Sequence, residues 1–296
     1  VQLNGGEVLM FRAWTLIGLT LIGLTLRGLI PLKSLRRSLP VFLISISLNS
    51  HLQAETVRVA VSANFKPVLK SISERFEKQS GHNVSISTAS SGTLYNQITN
   101  GAPFDLFLSA DSARPEQLEE KGLIKTGSRK PYAYGRLVLW DTTASGNKPP
   151  LTIQQLKSWQ KRIAIANPRT APYGAAAKQV LEGLGIWKER RKQRVQGNSI
   201  QQAWQFVASG NVQIGLVALS QLTGDTLKQV SYIPDNLYQP IRQEMVILKK
   251  SQEKQSVQQF ADYLLSGESQ TYIAHHGYHS VLNESVVEKK DEGYKP

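Results

Sequence analysis

Thr56–Ser62 reads Thr-Val-Arg-Val-Ala-Val-Ser, an apolar run with a two-residue period. A small polar turn follows at 63–65, then Val68, Leu69, Ile72 and Phe76 at helical spacing. A period of two marks a strand and a period of three to four marks a helix packed on one face. The same order recurs at once. Val84, Ile86 and Thr88 alternate with serines, and Leu94 and Ile98 continue at helical spacing. A third unit has the nearly continuous apolar run 104–108, as expected of a parallel strand covered on both faces, followed by a short helix at 114–121. Gly81, Gly101 and Gly122 stand where the three helices should stop. Such alternation buries its apolar faces as a largely parallel sheet flanked by helices, so the fold class is α/β.

A second series of the same kind occupies 135–234. Strands are predicted at 137–140, 162–166, near 195 and at 212–218, and helices at 153–159, at 175–184 and after the Asn198-Ser199 cap. Residues 167–174 read as a loop. A strand at 244–248 and helices at 255–265 and 268–277 return the chain. The expected organisation is two lobes, 55–134 with 235–280 and 135–234, with a ligand cleft between them. A polar tail follows at 281–296.

The run Thr88-Ala89-Ser90-Ser91-Gly92-Thr93-Leu94 lies where a strand ends and a helix begins. Free N–H groups and the positive end of the helix dipole meet there, which suits small anions. Glycine allows close backbone approach. The same run also reads as an ordinary Ser/Thr cap with a glycine turn. Four further junctions, 62–66, 109–114, 167–175 and 197–200, have the same strand-to-helix character. The polar groups at the five junctions are Ser62, Asn64, Ser90, Ser91, Thr93, Tyr173, Asn198 and Ser199, all neutral. Together they would form a cage of N–H and O–H donors for a compact oxyanion, without charge neutralisation.

Before Glu55 the chain has a different character. Lys33, Arg36 and Arg37 precede the mostly apolar stretch 39–48, and Ala54 precedes Glu55. This is the layout of a secretory signal with cleavage after Ala54. A second apolar run, 14–30, is broken by Arg27. It reads as an over-extended start or atypical leader within 1–54, with an N-terminal membrane anchor as the alternative. Without that region the formal charge falls from +13 to about +9. The basic residues are scattered except for 188–194, which reads as a solvated helix end, and no nucleic-acid motif accompanies them. Cysteine is absent, which excludes a disulfide framework or thiolate site.

The remaining chemistry is sparse. His82 follows Gly81 and reads as a surface turn residue. His275, His276 and His279 have no recognised metal-ligand spacing and read as helix-end surface or packing residues. No Gly-x-Ser-x-Gly, Gly-x-Gly-x-x-Gly or Walker run is present, so hydrolase chemistry and nucleotide binding in those modes are not expected. Asp105 and Asp111 flank the third strand and are expected to cap, or to pair and hold the Ser109-Ala110 turn, with cation binding as a minor alternative.

Several runs carry a resemblance: Val59-Ala60-Val61-Ser62-Ala63-Asn64-Phe65, Ala89-Ser90-Ser91-Gly92-Thr93-Leu94, Gly101-Ala102-Pro103-Phe104-Asp105-Leu106-Phe107-Leu108-Ser109-Ala110-Asp111, Pro172-Tyr173-Gly174 and Gly215-Leu216-Val217-Ala218-Leu219-Ser220. Over about 56–280 the chain resembles the periplasmic molybdate-binding proteins of ABC transporters, in the type II solute-binding superfamily. The resemblance implies a tetrahedral anion held by Asn64, Ser91, the Ala110 backbone, Tyr173 and a Ser199 backbone N–H. Ser62, Ser90, Gly92, Thr93, Asn198 and Ala218 are secondary candidates. Ala218 stands where one branch of the family has a tyrosine hydroxyl, whose loss Tyr173 would offset. The implied ligand is molybdate or tungstate, with no cofactor, no catalysis and no metal ligand apart from the oxyanion. The implied setting is a monomer in the periplasm that delivers to an inner-membrane permease and has no nucleic-acid partner. Receptors for sulfate or phosphate, and an anion-dependent regulatory or enzymatic domain, are the alternatives.

Overall fold

A computed structural model describes residues 54–282. Strand β1 (Thr56–Ser62) carries Val57, Val59 and Val61 fully buried on one face and Ala60 on the other. The chain crosses over through helix α1 (Lys66–Ser80), whose Val68, Leu69, Ile72 and Phe76 pack onto β1 and whose last turn ends at Gly81 with φ 75°. Strand β2 (Asn83–Ala89), helix α2 (Ser91–Thr99), strand β3 (Leu106–Leu108) and helix α3 (Ala113–Glu120) continue the alternation. Strand β4 (Lys130–Gly135) completes the first passage, and β10 (Ile241–Ile247) joins later, giving a sheet in the order β2-β1-β3-β10-β4. β1 runs parallel to β2 and β3, and β10 runs antiparallel to β3 and β4.

The second sheet repeats this build. It consists of β5 (Leu137–Asp141), β6 (Ile163–Ala166), β7 (Arg194–Gly197), β8 (Ile214–Ala218) and β9 (Val230–Tyr232), in the order β7-β6-β8-β5-β9. β6 is parallel to β7 and β8, and β5 is antiparallel to β8 and β9. Helices α4 (Pro172–Gly183) and α5 (Ile200–Ala208) cover its two faces with Val180 and Leu181 on one side and Val207 on the other. Helices α6 (Gln255–Leu265) and α7 (Gly267–His275) return to the first sheet, where Phe260, Leu264 and Ile273 are fully buried. Each such side chain contributes about 1.5–3 kcal/mol by leaving water. The chain passes from the first sheet to the second through Arg136 alone, between β4 and β5, and returns over 233–240.

The α/β expectation holds, as a two-lobed fold with mixed rather than wholly parallel sheets. Several local readings change. β4 is an unexpected strand, and its place at the sheet edge tolerates Pro131, which lacks a ladder N–H. β9 is likewise unexpected. The helix expected at 175–184 begins at Pro172, which occupies the first turn where proline is favoured, so Tyr173 is helical rather than in a loop. The 153–159 segment is a 3-10 turn at Gln154–Lys157. His82 is buried: it stacks on Phe76 and its Nδ1 accepts from the Glu55 N–H at 3.2 Å. The basic stretch 188–194 is not wholly solvated. Arg190 is buried on Gln160 and Lys157, and Arg194 lies over the Trp187 ring at 3.4 Å. The expected leader to residue 53, and the tail from residue 283, lie outside the described residues. Among the described residues no helix is long and apolar enough to cross a membrane.

Candidate functional site

Parallel strands deliver their C-terminal ends to one edge of a sheet, which is where α/β proteins gather ligand groups. At that edge β1 ends in Ser62, β2 gives way to Ser90 and Ser91, and β3 gives way to Ser109 and Ala110. The Ser62 and Ser91 hydroxyl oxygens are 2.6 Å apart. The Ala110 N–H donates to both, at 3.0 and 2.9 Å. Ser62, Ser91 and Ala110 are almost fully buried. Two hydroxyls hold two protons and one lies between them, so one O–H remains to donate to a ligand. Among the described residues no histidine or carboxylate is bonded to either serine, so neither has a base there to make it a nucleophile.

The cap reading of the 88–94 run is seen in Ser90, and the hydroxyl of Ser91 is left for another use. Ser90 is the N-cap of α2: its Oγ accepts from the Thr93 N–H and pairs with Thr93 Oγ1 at 2.8 Å. Thr93 is exposed. Ser91 faces the buried cluster instead. The Gly92 N–H donates to Thr170 O at 2.9 Å, from the first lobe to the second. A Cβ at Gly92 would lie 3.0 Å from that oxygen. A second contact crosses nearby, from Arg114 Nη2 to Arg169 O at 3.1 Å. Arg114 is held by Asp111, whose carboxylate also accepts from the Ser109 hydroxyl, so Asp111 does pair across the Ser109-Ala110 turn. Asp105 acts elsewhere. It is fully buried under Arg58, Ser251 and Lys254. Burial alone would push its carboxyl up, but these hydrogen bonds outweigh that and hold it well below the usual carboxylate range.

Asn64 lies beside the serine cluster in sequence but its amide is used in a different network. Its Nδ2 donates to Gln243 Oε1 at 2.9 Å and to the Tyr278 hydroxyl at 3.1 Å, while its buried Oδ1 has no partner among the described residues. Its backbone N–H meets no acceptor among the described residues, and neither do those of Ser91, Tyr173 and Ser199 at the starts of α2, α4 and α5. Tyr173 is buried, and its hydroxyl accepts from Gln243 Nε2 at 3.3 Å. Burial pushes the phenols of Tyr173, Tyr132 and Tyr278 up, so all three are neutral hydroxyls at physiological pH.

The groups expected from the second lobe are less closely joined to this cluster. Ser199 is the N-cap of α5, its Oγ accepting from the Gln202 N–H at 3.3 Å. Asn198 is exposed and its N–H donates to Gln202 Oε1. Ala218 ends β8, fully buried, with its N–H on Gln221 Oε1. Among the described residues no hydrogen bond links these three to Ser62 or Ser91. Ala218 shares an apolar cluster with Ala63, Ala110 and Tyr173.

Sequence reading missed Gln243, Tyr132 and Tyr278, and gave no role to Gly135, where a Cβ would lie 2.2 Å from the Tyr173 hydroxyl. The segment 241–247, Ile-Arg-Gln-Glu-Met-Val-Ile, mixes polar and apolar residues, so nothing in it marked Gln243 as buried. His275 and His276 each bond a backbone carbonyl four residues back, and among the described residues no set of three His, Asp or Glu side chains could hold a metal.

A family profile described as bacterial extracellular solute-binding protein matches residues 57–279. The molybdate-binding protein ModA of Azotobacter vinelandii is 46% identical over 233 residues, covering 76% of this chain and 90% of that protein. The protein of the same name from Rhodobacter capsulatus is 40% identical over 225 residues, covering 76% and 88%. A solved structure of an Azotobacter vinelandii periplasmic molybdate-binding protein superposes with a TM-score of 0.70 at 37% identity, covering 75% of this chain and 98% of that one. With its two matching sheets and its neutral donors at one strand edge, the chain belongs to the periplasmic molybdate-binding family of bacterial extracellular solute-binding proteins, a transport family and not a catalytic one.

Proposed function

We propose that this chain captures molybdate, with tungstate as a close competitor, and delivers it to an ABC-type permease of the inner membrane. The observation that carries the reading is the buried Ser62–Ser91–Ala110 cluster, neutral and donor-rich, in a chain closely similar to named molybdate-binding proteins. A tetrahedral oxyanion without a proton needs donors alone. Buried, pre-aimed donors serve it better than water because they need no reorganisation. The ligand set is Ser91 and Tyr173 through hydroxyls, and Asn64 and Ser199 through backbone N–H groups, with Ala110 holding Ser62 and Ser91 in place. The lobes, 55–134 with 235–280 and 135–234, close over the anion so that donors from both meet it, and the permease recognises the closed form. Export to the periplasm, through the 1–54 leader, and a monomeric state complete the reading.

Calorimetric titration of the purified chain, freed of carried-over anion, tests this. One-to-one binding of molybdate and tungstate, with sulfate and phosphate at least about a hundredfold weaker, is expected, the gap reflecting about 3 kcal/mol of discrimination. Preference for sulfate or phosphate would replace the ligand.

A further inference from the structure

We propose that Gln243 is a positioning residue that commits the Tyr173 hydroxyl to act as a donor toward the ligand; this rests on the oxyanion reading above. Gln243 is completely buried on β10. The hydrogen-bond roles around it follow one from the next. The Tyr278 hydroxyl lies 2.9 Å from Asn64 O, a carbonyl that can only accept, so Tyr278 gives its proton there. Its oxygen therefore accepts from the Asn64 side chain at 3.1 Å, which places the Asn64 amide nitrogen on that side. That nitrogen also faces Gln243 at 2.9 Å, so Gln243 must present its carbonyl oxygen. Turning the glutamine over would set two N–H groups against each other. Tyr132 reinforces the choice from 3.0 Å, sharing its single proton between Gln243 Oε1 and Ser109 O.

The amide end of Gln243 is then left for Tyr173, whose hydroxyl oxygen lies 3.3 Å away. An N–H has no lone pair, so the phenol accepts from Gln243 and its own proton is not used there. A glutamate or an acceptor in place of that N–H would draw the proton inward and offer the ligand a lone pair instead. Gln243 belongs to the first sheet and Tyr173 to α4 of the second lobe, so the same bond ties the donor to the relation between the lobes. The site thereby selects acceptor atoms: a fully deprotonated oxyanion fits, and an anion that must donate a proton at this point does not.

The test is a double-mutant cycle of Gln243→Glu and Tyr173→Phe, read by calorimetric molybdate binding to the full chain from about pH 6 to about pH 8 with melting temperatures alongside. Placing a carboxylate here adds repulsion in both backgrounds, but only with Tyr173 present does it also remove a donor. The expected result is a loss at least about tenfold larger in the otherwise wild-type chain than in the Tyr173→Phe background, growing as pH rises and the carboxyl ionises. Gln243→Met, neutral and of similar length, gives a second arm should the glutamate variant fail to fold: it should weaken binding about threefold or more beside Tyr173 and leave the Tyr173→Phe protein unchanged. Equal losses in both backgrounds, in either arm, overturn the proposal while leaving anion binding intact. A wild-type chain that binds none of molybdate, tungstate, sulfate and phosphate overturns the oxyanion reading and the proposal with it.

Discussion

Ser90 and Ser91 are neighbours with opposite assignments, and replacing each by alanine separates a cap from the proposed ligand donor. Ser91 Oγ touches Ser62 Oγ at 2.6 Å and accepts from the Ala110 N–H at 2.9 Å. When it is removed, the Ala110 N–H keeps Ser62 Oγ at 3.0 Å, so no buried backbone donor is orphaned. The expected stability cost of Ser91→Ala is then about 1 kcal/mol, the net worth of one neutral hydrogen bond. On the proposed ligand set, the anion also loses a donor to a charged group, worth about 1.5–3 kcal/mol net. At 1.4 kcal/mol per decade that is a Kd weaker by about 10- to 150-fold. Ser90→Ala removes the α2 cap, which accepts from the Thr93 N–H, and should cost about 1 kcal/mol of stability while changing the Kd by less than about threefold. Urea denaturation and molybdate calorimetry on both variants give the four numbers. A Ser91→Ala protein that binds within twofold of wild type, or a Ser90→Ala protein that binds as poorly as Ser91→Ala should, would refute the division of roles.

Two further outcomes follow from the same structure. A Cβ at Gly135 would lie 2.2 Å from the Tyr173 hydroxyl and 2.7 Å from Gln243 Nε2, so Gly135→Ala must displace both. It should cost about 1–3 kcal/mol in a thermal melt and weaken molybdate binding in calorimetry; an unchanged Kd would place Tyr173 outside the ligand set. Asp105→Asn removes the buried carboxylate under Arg58 and Lys254 and should cost about 2–3 kcal/mol at neutral pH. Because the folded carboxyl is held below its unfolded value, its contribution is complete above that value and is lost as pH falls through the folded one. The gap between wild-type and Asp105→Asn urea midpoints should therefore shrink below about pH 4, and a gap constant with pH would contradict the linkage.

What the sequence revealed was mostly local. The strand and helix of each unit declare themselves through periods of two and of three to four, and β1, β2, α1 and α2 lie close to where those periods put them. The Ser-rich turn after β2 was visible as an anion site or a cap, but not which serine would cap α2. That depends on one residue's φ and ψ at the start of α2. β4 was hidden because Pro131 and its tyrosines lack a clean alternation, and only the edge position explains them. The network of Asn64, Tyr132, Tyr173, Gln243 and Tyr278 was invisible for a different reason. Its members come from five segments far apart in the chain, the turn after β1, β4, α4, β10 and the stretch after α7, and topology alone brings them together. His82 was misread because a histidine after a helix-ending glycine usually faces water, whereas here it stacks on Phe76 beside the start of β1.

The two contacts that cross between the lobes at Gly92 and Arg114 both end on main-chain oxygens, those of Thr170 and Arg169. A carbonyl is the same whatever side chain it carries, so this seam is read unequally from its two sides. Positions 169 and 170 are free to drift across a lineage without loosening it. Position 92 is not, since a methyl group there would press on Thr170 O and Cα at 3.0 and 3.1 Å. In a saturation library selected for growth on scarce molybdate, the 169–170 columns should fill with many residue types while column 92 stays glycine.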